Sequence, residues 1–202
     1  MTGDTAPEFR ALALDDAEEA ADILAEAFAE DPVMNWMFGN TRVFRTVFRE
    51  LARGAYLRDG FGHVAAGKAA TLWLPAGVPL KLRRLNELRL ALAALGHCGP
   101  GAIGRAFAAA DVMEAHHPEM PHYYLFAVGV APSAQGKGHG GRIIREGLKR
   151  ADADGEPAYL ESSNPRNDPL YERLGFEAIA PLPMPAGSPR LLGMLRPAGA
   201  RA

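Results

Sequence analysis

Cysteine is almost missing. The 202 residues include one, Cys98, which excludes an internal disulfide and any cysteine-based zinc site. A surplus of one charge is missing too. Twenty-two Lys and Arg against 24 Asp and Glu leave a formal net charge of −2, unlike the basic excess of a general nucleic-acid binder. Arg42, Arg45, Arg49, Arg53 and Arg58 do recur along one side of a helix, where a solvated face is expected. Long apolar runs are missing as well. Residues 85–95 are interrupted by Asn86, Glu87 and Arg89, so no stretch reaches the ~20 residues that span a bilayer. The first ten residues lack the basic-then-apolar pattern of a secretory leader. No nucleic-acid or membrane partner is expected, and the expected location is the cytoplasm. His116, His117 and His122 have no carboxylate or cysteine at ligand spacing, so no metal is expected.

What is present is ordinary globular material, 48% hydrophobic and 23% charged, enough for one core. The reading is a single domain over residues 1–202. A first strand is predicted over 9–14. A helix follows, entered through Asp15 and Asp16 with Glu18 and Glu19 completing a capping box, and it carries Ala20, Ile23, Leu24, Ala27 and Phe28 until Asp31-Pro32. A second helix places Phe44, Val47, Phe48 and Leu51 on one face. Strands over 62–66 and 69–74 are joined by a Gly67-Lys68 turn. Residues 79–118 read as an inserted helical hairpin, with Leu85, Leu88, Leu92 and Leu95 on one stripe and Ile103, Phe107, Ala110 and Met113 on the other. Residues 123–130 are apolar on both faces and mark the central strand. A helix over 141–153, a strand over 158–161, a short helix over 168–174 and two last strands complete the order, with residues 197–202 expected to fray.

Between the central strand and the next helix stands Val128-Gly-Val-Ala-Pro-Ser-Ala-Gln135-Gly-Lys-Gly-His-Gly-Gly141. Four glycines in six residues serve no packing purpose. They permit positive φ and let a ligand approach the main chain, and a helix N-terminus adds unpaired N–H groups and partial positive charge. The loop therefore suits a pyrophosphate, with Lys137, His139 and Arg142 nearby. The string Gly136-x-Gly138-x-x-Gly141 also fits a dinucleotide fingerprint with Glu161 downstream. Five residues intervene between strand and glycine, however, and the roughly forty residues after Glu161 are too few for a doubly wound sheet.

The Val-x-Pro-x-x-Gln-Gly-x-Gly-x-Gly wording resembles the acetyl-CoA loop of the GNAT superfamily. Leu160-Glu-Ser-Ser-Asn164-Pro-Arg-Asn167-Asp-Pro-Leu-Tyr171-Glu-Arg-Leu-Gly-Phe176 resembles that family's second block, and its wording is similar to puromycin N-acetyltransferase and bacterial relatives. The resemblance implies an α/β (α+β) fold with a mixed, mostly antiparallel sheet, split at the acetyl-CoA strand, and helices on both faces. It also implies an acetyl-CoA-dependent N-acyltransferase acting on a primary amine of a small molecule. Val128, Gly129 and Val130 are then expected to pair with the pantetheine arm through the main chain. Gln135, Gly136, Lys137, Gly138, His139, Gly140 and Gly141 are expected to wrap the pyrophosphate, and Asn164 and Asn167 to steady the arm or merely cap the short helix.

A free aliphatic amine has a pKa near ~10.4 and arrives protonated, so the chemistry needs a base, and the departing thiolate needs an acid. Tyr171 is the acid candidate, on a helix begun by Asn167 and ended by Gly175; the alternative is a core tyrosine packed on Phe176. Glu161 is the base candidate, directly or through water; the alternative is an ion pair with Arg166. His116, His117 and His122 are placed at the border of the acceptor pocket. Cys98 beside His97 lacks an evident activating base, which favours direct transfer over an acyl-enzyme. A non-catalytic acyl-CoA sensor and a nicotinamide-dependent oxidoreductase are the alternatives, and a monomer or homodimer is expected.

Overall fold

The computed structural model describes residues 9–200; residues 1–8, most of the segment read for a leader, and residues 201–202 lie outside it. The order is β1 (Arg10–Ala11), α1 (Ala17–Ala27), α2 (Pro32–Phe38), α3 (Phe44–Leu51), a π-helical turn (Ala52–Tyr56), one-turn α4 (Leu57–Asp59), β2 (Phe61–Ala65) and β3 (Ala69–Leu74). Then come α5 (Arg84–Cys98), α6 (Pro100–Ala115), β4 (Tyr123–Val130), α7 (His139–Asp154), β5 (Ala158–Ser162), α8 (Asp168–Glu172), β6 (Glu177–Pro181) and β7 (Leu192–Arg196). The strands form one sheet in the order β1-β2-β3-β4-β5-β7-β6. Every pairing is antiparallel except β4 with β5. This is the mixed, mostly antiparallel sheet expected, and it lacks the parallel arrangement a nicotinamide-binding doubly wound fold requires.

Both faces of the central strands are covered, and strand alternation decides which side chain goes where. On β3, Ala70, Leu72 and Leu74 pack into the cluster containing Leu24, Val47 and Phe48 of α1 and α3. Trp73 turns the other way, into the cluster with Ile144 and Leu148 of α7. Gly129 of β4 lies directly under α1: a Cβ there would come within 2.7 Å of Ala27 Cβ and 2.9 Å of Leu24 Cδ2. The glycine lets the helix sit close on the strand.

Several local expectations change. α2 was not foreseen as a separate helix, although Asp31-Pro32 is a helix start: Asp31 Oδ1 accepts from Met34 N–H at 2.9 Å and Pro32 takes the first position. The carboxylate that reaches back before α1 is that of Asp16, onto Ala13 N–H at 2.7 Å. Glu18 and Glu19 instead face Arg45 and Arg10. Arg45 also pairs with Asp22, and Arg58 with Asp59, so much of the arginine run is a solvated, ion-paired face. Residues 197–200 form a turn in place of the expected loose end, with Ala200 N–H bonded to Pro197 O at 3.2 Å and the Ala200 carbonyl accepting from the buried Arg196.

The insertion is helical as expected, but its leucines are reversed. Leu85, Leu88, Leu92 and Leu95 are each at least half exposed, and Phe107 is 66% exposed. The inward faces carry Asn86 and Ala94 of α5 and Ala102 and Ala109 of α6. The reason is a buried polar tie. Glu50 of α3, 1% exposed, accepts from Asn86 Nδ2 at 2.7 Å and from Arg49 Nε at 2.9 Å. Next to it a Cβ on Gly54 would meet Leu82 Cδ1 at 2.4 Å and Asn86 Cβ at 2.9 Å. With Asn86 required on the inner face, the leucine stripe points outward. Asn86→Ala should destabilise the protein by about 1–3 kcal/mol, because it strips a buried carboxylate of a donor; urea denaturation measures it, and a loss below a few tenths would show that the tie does not hold α5.

Candidate active site

β4 and β5 are hydrogen-bonded at two positions only, Tyr123 opposite Ala158 and Tyr124 opposite Tyr159. Beyond them the strands part. On its other side β4 stays paired to β3 as far as Val130, so its β5-facing edge from residue 125 onward offers free main-chain groups. The opening is part of a cavity of about 950 Å³ bordered by Val128, Gly129 and Val130, by the glycine loop, and by Glu161 and Tyr171.

The loop closes one end. Gln135 Nε2 donates to Val130 O at 3.1 Å, which fastens the loop to the end of β4. Gly136 and Gly138 hold φ of +76° and +79°, a conformation other residues adopt at a cost. α7 starts at His139, two residues earlier than expected, and its first main-chain bond is Arg142 N–H to Gly138 O at 3.2 Å. The N–H groups of His139, Gly140 and Gly141 thus lie in the first turn, where intrahelical partners run out, and all three residues border the cavity. The His139 side chain is buried, 2% exposed. Lys137 is the one expected loop residue that does not border the cavity, and its side chain is exposed.

Capping falls to Asn164 and not to Asn167, the expected helix start. Asn164 Oδ1 accepts from Arg166 N–H at 3.1 Å and caps the turn leading into α8, whereas the Asn167 side chain caps nothing. Both border the cavity. Tyr171 follows one turn later, its ring edge-on to Phe176 with centroids 6.2 Å apart, inside the cluster of Leu174 and Phe176. It is therefore packed and at the cleft together. Burial, then the charges of Asp31 and Asp168, push its phenol up, so it keeps its proton. Gly175, with φ of +86°, ends the segment.

Glu161 does not pair with Arg166, the alternative weighed from sequence. Its Oε2 accepts from the Tyr124 hydroxyl at 2.8 Å, and His117 Nε2 lies 3.2 Å from Oε1 but off line for a good hydrogen bond. His122 Nε2 lies 3.3 Å from His117 Nδ1, and His122 Nδ1 is 2.8 Å from Met120 O. With Nδ1–H of His122 given to that carbonyl, its Nε2 is left to accept from His117. Tyr124 and Tyr159 flank His117 at centroid distances of 4.5 and 5.0 Å. Burial and the Glu161 charge raise both phenols. None of the three histidines expected at the pocket border lines the cavity: His117 reaches it only through Glu161 and His122 only through His117, while the His116 ring bonds back to Val112 O at 2.7 Å. Cys98 does not border the cavity.

Sequence reasoning passed over Asp31. It is 7% exposed, borders the cavity, and accepts from Ser163 Oγ beyond β5, which ties the α1–α2 junction to the far wall. Its Asp-Pro position was the available signal. Phe126 was also passed over. Register shifts from Leu72–Ala127 to Trp73–Leu125, which leaves Phe126 as an extra residue bulged from β4, a device that re-aims a side chain.

A family model described as Acetyltransferase (GNAT) family matches residues 102–176, the stretch from α6 through β4, the loop, α7, β5 and α8. A Corynebacterium glutamicum structure described as histone acetyltransferase HPA2 and related acetyltransferase superposes with a TM-score of 0.73. It is 25% identical and covers 98% of this chain and 99% of its own. The chain is thus similar to GNAT acetyltransferases in this stretch and in fold. An uncharacterized N-acetyltransferase of Schizosaccharomyces pombe is 29% identical over 178 residues, 80% of this chain and 70% of that protein. Drosophila melanogaster polyamine N-acetyltransferase shares the GNAT fold at a TM-score of 0.61 and 14% identity, over 93% of this chain and 99% of its own. Among the described residues no helix is long and apolar enough to cross a membrane.

His122 and His63 are held below the usual histidine range, chiefly by burial. The unfolded chain therefore binds these protons at higher pH than the native one, and stability falls as pH drops through the ordinary histidine value near ~6.5. The melting temperature should decline between pH 7.5 and 5.5, with a shallower slope in His122→Gln; an identical slope in that variant would remove His122 from the account.

Proposed function

We propose that this chain transfers an acetyl group from acetyl-CoA to a primary amine of a small molecule by direct attack, without an acyl-enzyme. The observation that carries the reading is the wedge between β4 and β5, which has the α7 N-terminus at one end and Glu161 and Tyr171 on its border. A free strand edge suits the amide-bearing pantetheine arm, and first-turn N–H groups suit a pyrophosphate. Val128, Gly129 and Val130 serve the arm through the main chain. Gln135, Gly136, Gly138, His139, Gly140 and Gly141 serve the pyrophosphate, with Lys137 outside the cleft as a long-range positive charge. Asn164 and Asn167 flank the arm.

The chemistry divides between two side chains. Glu161 takes a proton from the incoming ammonium. The freed nitrogen lone pair bonds to the thioester carbonyl carbon, the nitrogen then gives its second proton to solvent, and the tetrahedral intermediate collapses with loss of the C–S bond. Tyr171, protonated at neutral pH, gives its proton to the leaving thiolate and regains one from solvent. One proton per turnover remains to be discharged. The line Glu161–His117–His122 gives it a route from the buried carboxylate toward the surface, with the Met120 carbonyl holding His122 in position.

Thiol release from acetyl-CoA with a panel of amines tests the activity, and absence of both binding and release favours an inert fold. Gly138→Val places a β-branched residue at φ of +79° where phosphate approaches the main chain, and it should weaken acetyl-CoA binding about tenfold or more; equal affinity by calorimetry removes the loop assignment. Glu161→Gln and Tyr171→Phe should each lower kcat by about 10²–10⁴-fold with acetyl-CoA affinity kept. The Glu161 variant loses most at low pH, where the amine is hardest to deprotonate. The Tyr171 variant regains part of its loss with a donor whose thiol is more acidic. A Tyr171→Phe enzyme with full kcat and a lower melting temperature would assign that residue to the core.

A further inference from the structure

Two buried polar atoms bordering the cavity have no hydrogen-bond partner: the Tyr56 hydroxyl and Glu161 Oε1. Tyr56 is 0% exposed. A buried phenol normally finds a partner, and leaving one unpaired costs desolvation with nothing in return. The Glu161 charge contributes to the raised phenol of Tyr56, after burial, so the two groups lie within electrostatic reach of one another. A phenol oxygen without a partner, and a carboxylate oxygen whose neighbour His117 Nε2 at 3.2 Å is off line, complement the N–H groups of an ammonium.

The local backbone is built around this position. Tyr56 closes the π-helical turn Ala52–Tyr56, a widened turn that recurs at functional sites. The turn is clamped from behind by the contact of Gly54 with Leu82 and Asn86. The Tyr56 ring stacks on Phe126, with centroids 4.4 Å apart and planes 14° from parallel, and Phe126 is the residue that the β4 bulge re-aims. A π-turn on one side and a β-bulge on the other bring these two rings face to face, with Phe126 edge-on to Tyr124 at 6.3 Å, the phenol that donates to Glu161.

Beyond them the walls supplied ahead of the glycine loop are apolar. Phe28 and Phe48, with centroids 5.0 Å apart, stand with Met37, Leu90 and Ile103 on the border. The other carboxylates there are Asp31, already taken by Met34 N–H and Ser163, and Glu30 and Glu87, whose side chains are exposed. A second ammonium on the acceptor would be desolvated against hydrocarbon without a partner.

Resting on the acyl-transfer reading above, we propose that Tyr56 and Glu161 together receive the acceptor's amino group, and that the acceptor is a monoamine with an apolar body. The Tyr56 oxygen accepts one N–H of the ammonium and Glu161 Oε1 takes the proton that is removed. The nitrogen lone pair is left for the thioester.

The test uses the full chain with acetyl-CoA and four acceptors: phenethylamine, hexylamine, spermidine and a lysine-containing peptide. Phenethylamine or hexylamine should show the highest kcat/KM. Tyr56→Phe keeps the ring stack and removes an unpaired hydroxyl, so its melting temperature should be equal or higher. Its kcat/KM for the best monoamine should fall about tenfold to a hundredfold, the range of a lost hydrogen bond to a charged group, with the KM for acetyl-CoA unchanged. The proposal is overturned if spermidine or the peptide is preferred, if Tyr56→Phe keeps full kcat/KM, or if it melts lower. Thiol release with the wrong ranking sinks this proposal alone, whereas no acetyl-CoA binding and no release from any amine sinks the acyl-transfer reading beneath it.

Discussion

The structure depends on a pairing that stops early. β4 and β5 share two residue pairs, at Tyr123 and Tyr124, and then diverge although each keeps its outer neighbour. β3 holds β4 through Val130, and β7 holds β5 through Ser162. Unpaired main-chain groups inside a protein are costly, so an open edge in the middle of a sheet is tolerable only where solvent or a ligand meets it. The cavity is the sheet's own interruption, and the strands that frame it are among the most firmly packed in the molecule.

That interruption also sorts the polar side chains. At the closed end, where β4 and β5 are still joined, Tyr124, Glu161, His117 and Tyr159 crowd together with short contacts between them. Past the parting point, the glycine loop and α8 supply main-chain donors and Tyr171. A buried carboxylate and a protonated phenol therefore come from different strands and helices yet border one opening, each in its own environment. Separated environments of this kind are what acid and base roles require.

The loop and the second block were legible because their signals are local. Glycines with positive φ, an apolar strand before them and an amphipathic helix after them leave few alternatives, and α7 began within two residues of its expected start. The hairpin strands β2 and β3 were legible for the same reason. What was not legible depends on distant partners. The outward turn of Leu85, Leu88, Leu92 and Leu95 follows from Asn86 meeting Glu50, 36 positions away, and no helical periodicity encodes that. The π-turn before Tyr56 and the bulge at Phe126 each insert a residue into a regular element, and each becomes visible only against its neighbour. His117 was placed near the pocket by its position before β4, but its approach to Glu161 is a tertiary fact.

The inserted helices are fastened at three separate places. Asn86 is held by Glu50 on α3, the His97 carbonyl accepts from Asn40 at 2.9 Å, and Arg105 Nε donates to the carbonyls of Trp36 and Met37 at 2.7 and 3.0 Å. These anchors, at Asn86 and His97 of α5 and at Arg105 of α6, hold both helices of the wall to the body of the chain. The side of the chamber formed by α5 and α6 is thus a fixed gauge and not a door. The width of the cavity on that side is then the fold's own, set before any molecule enters it.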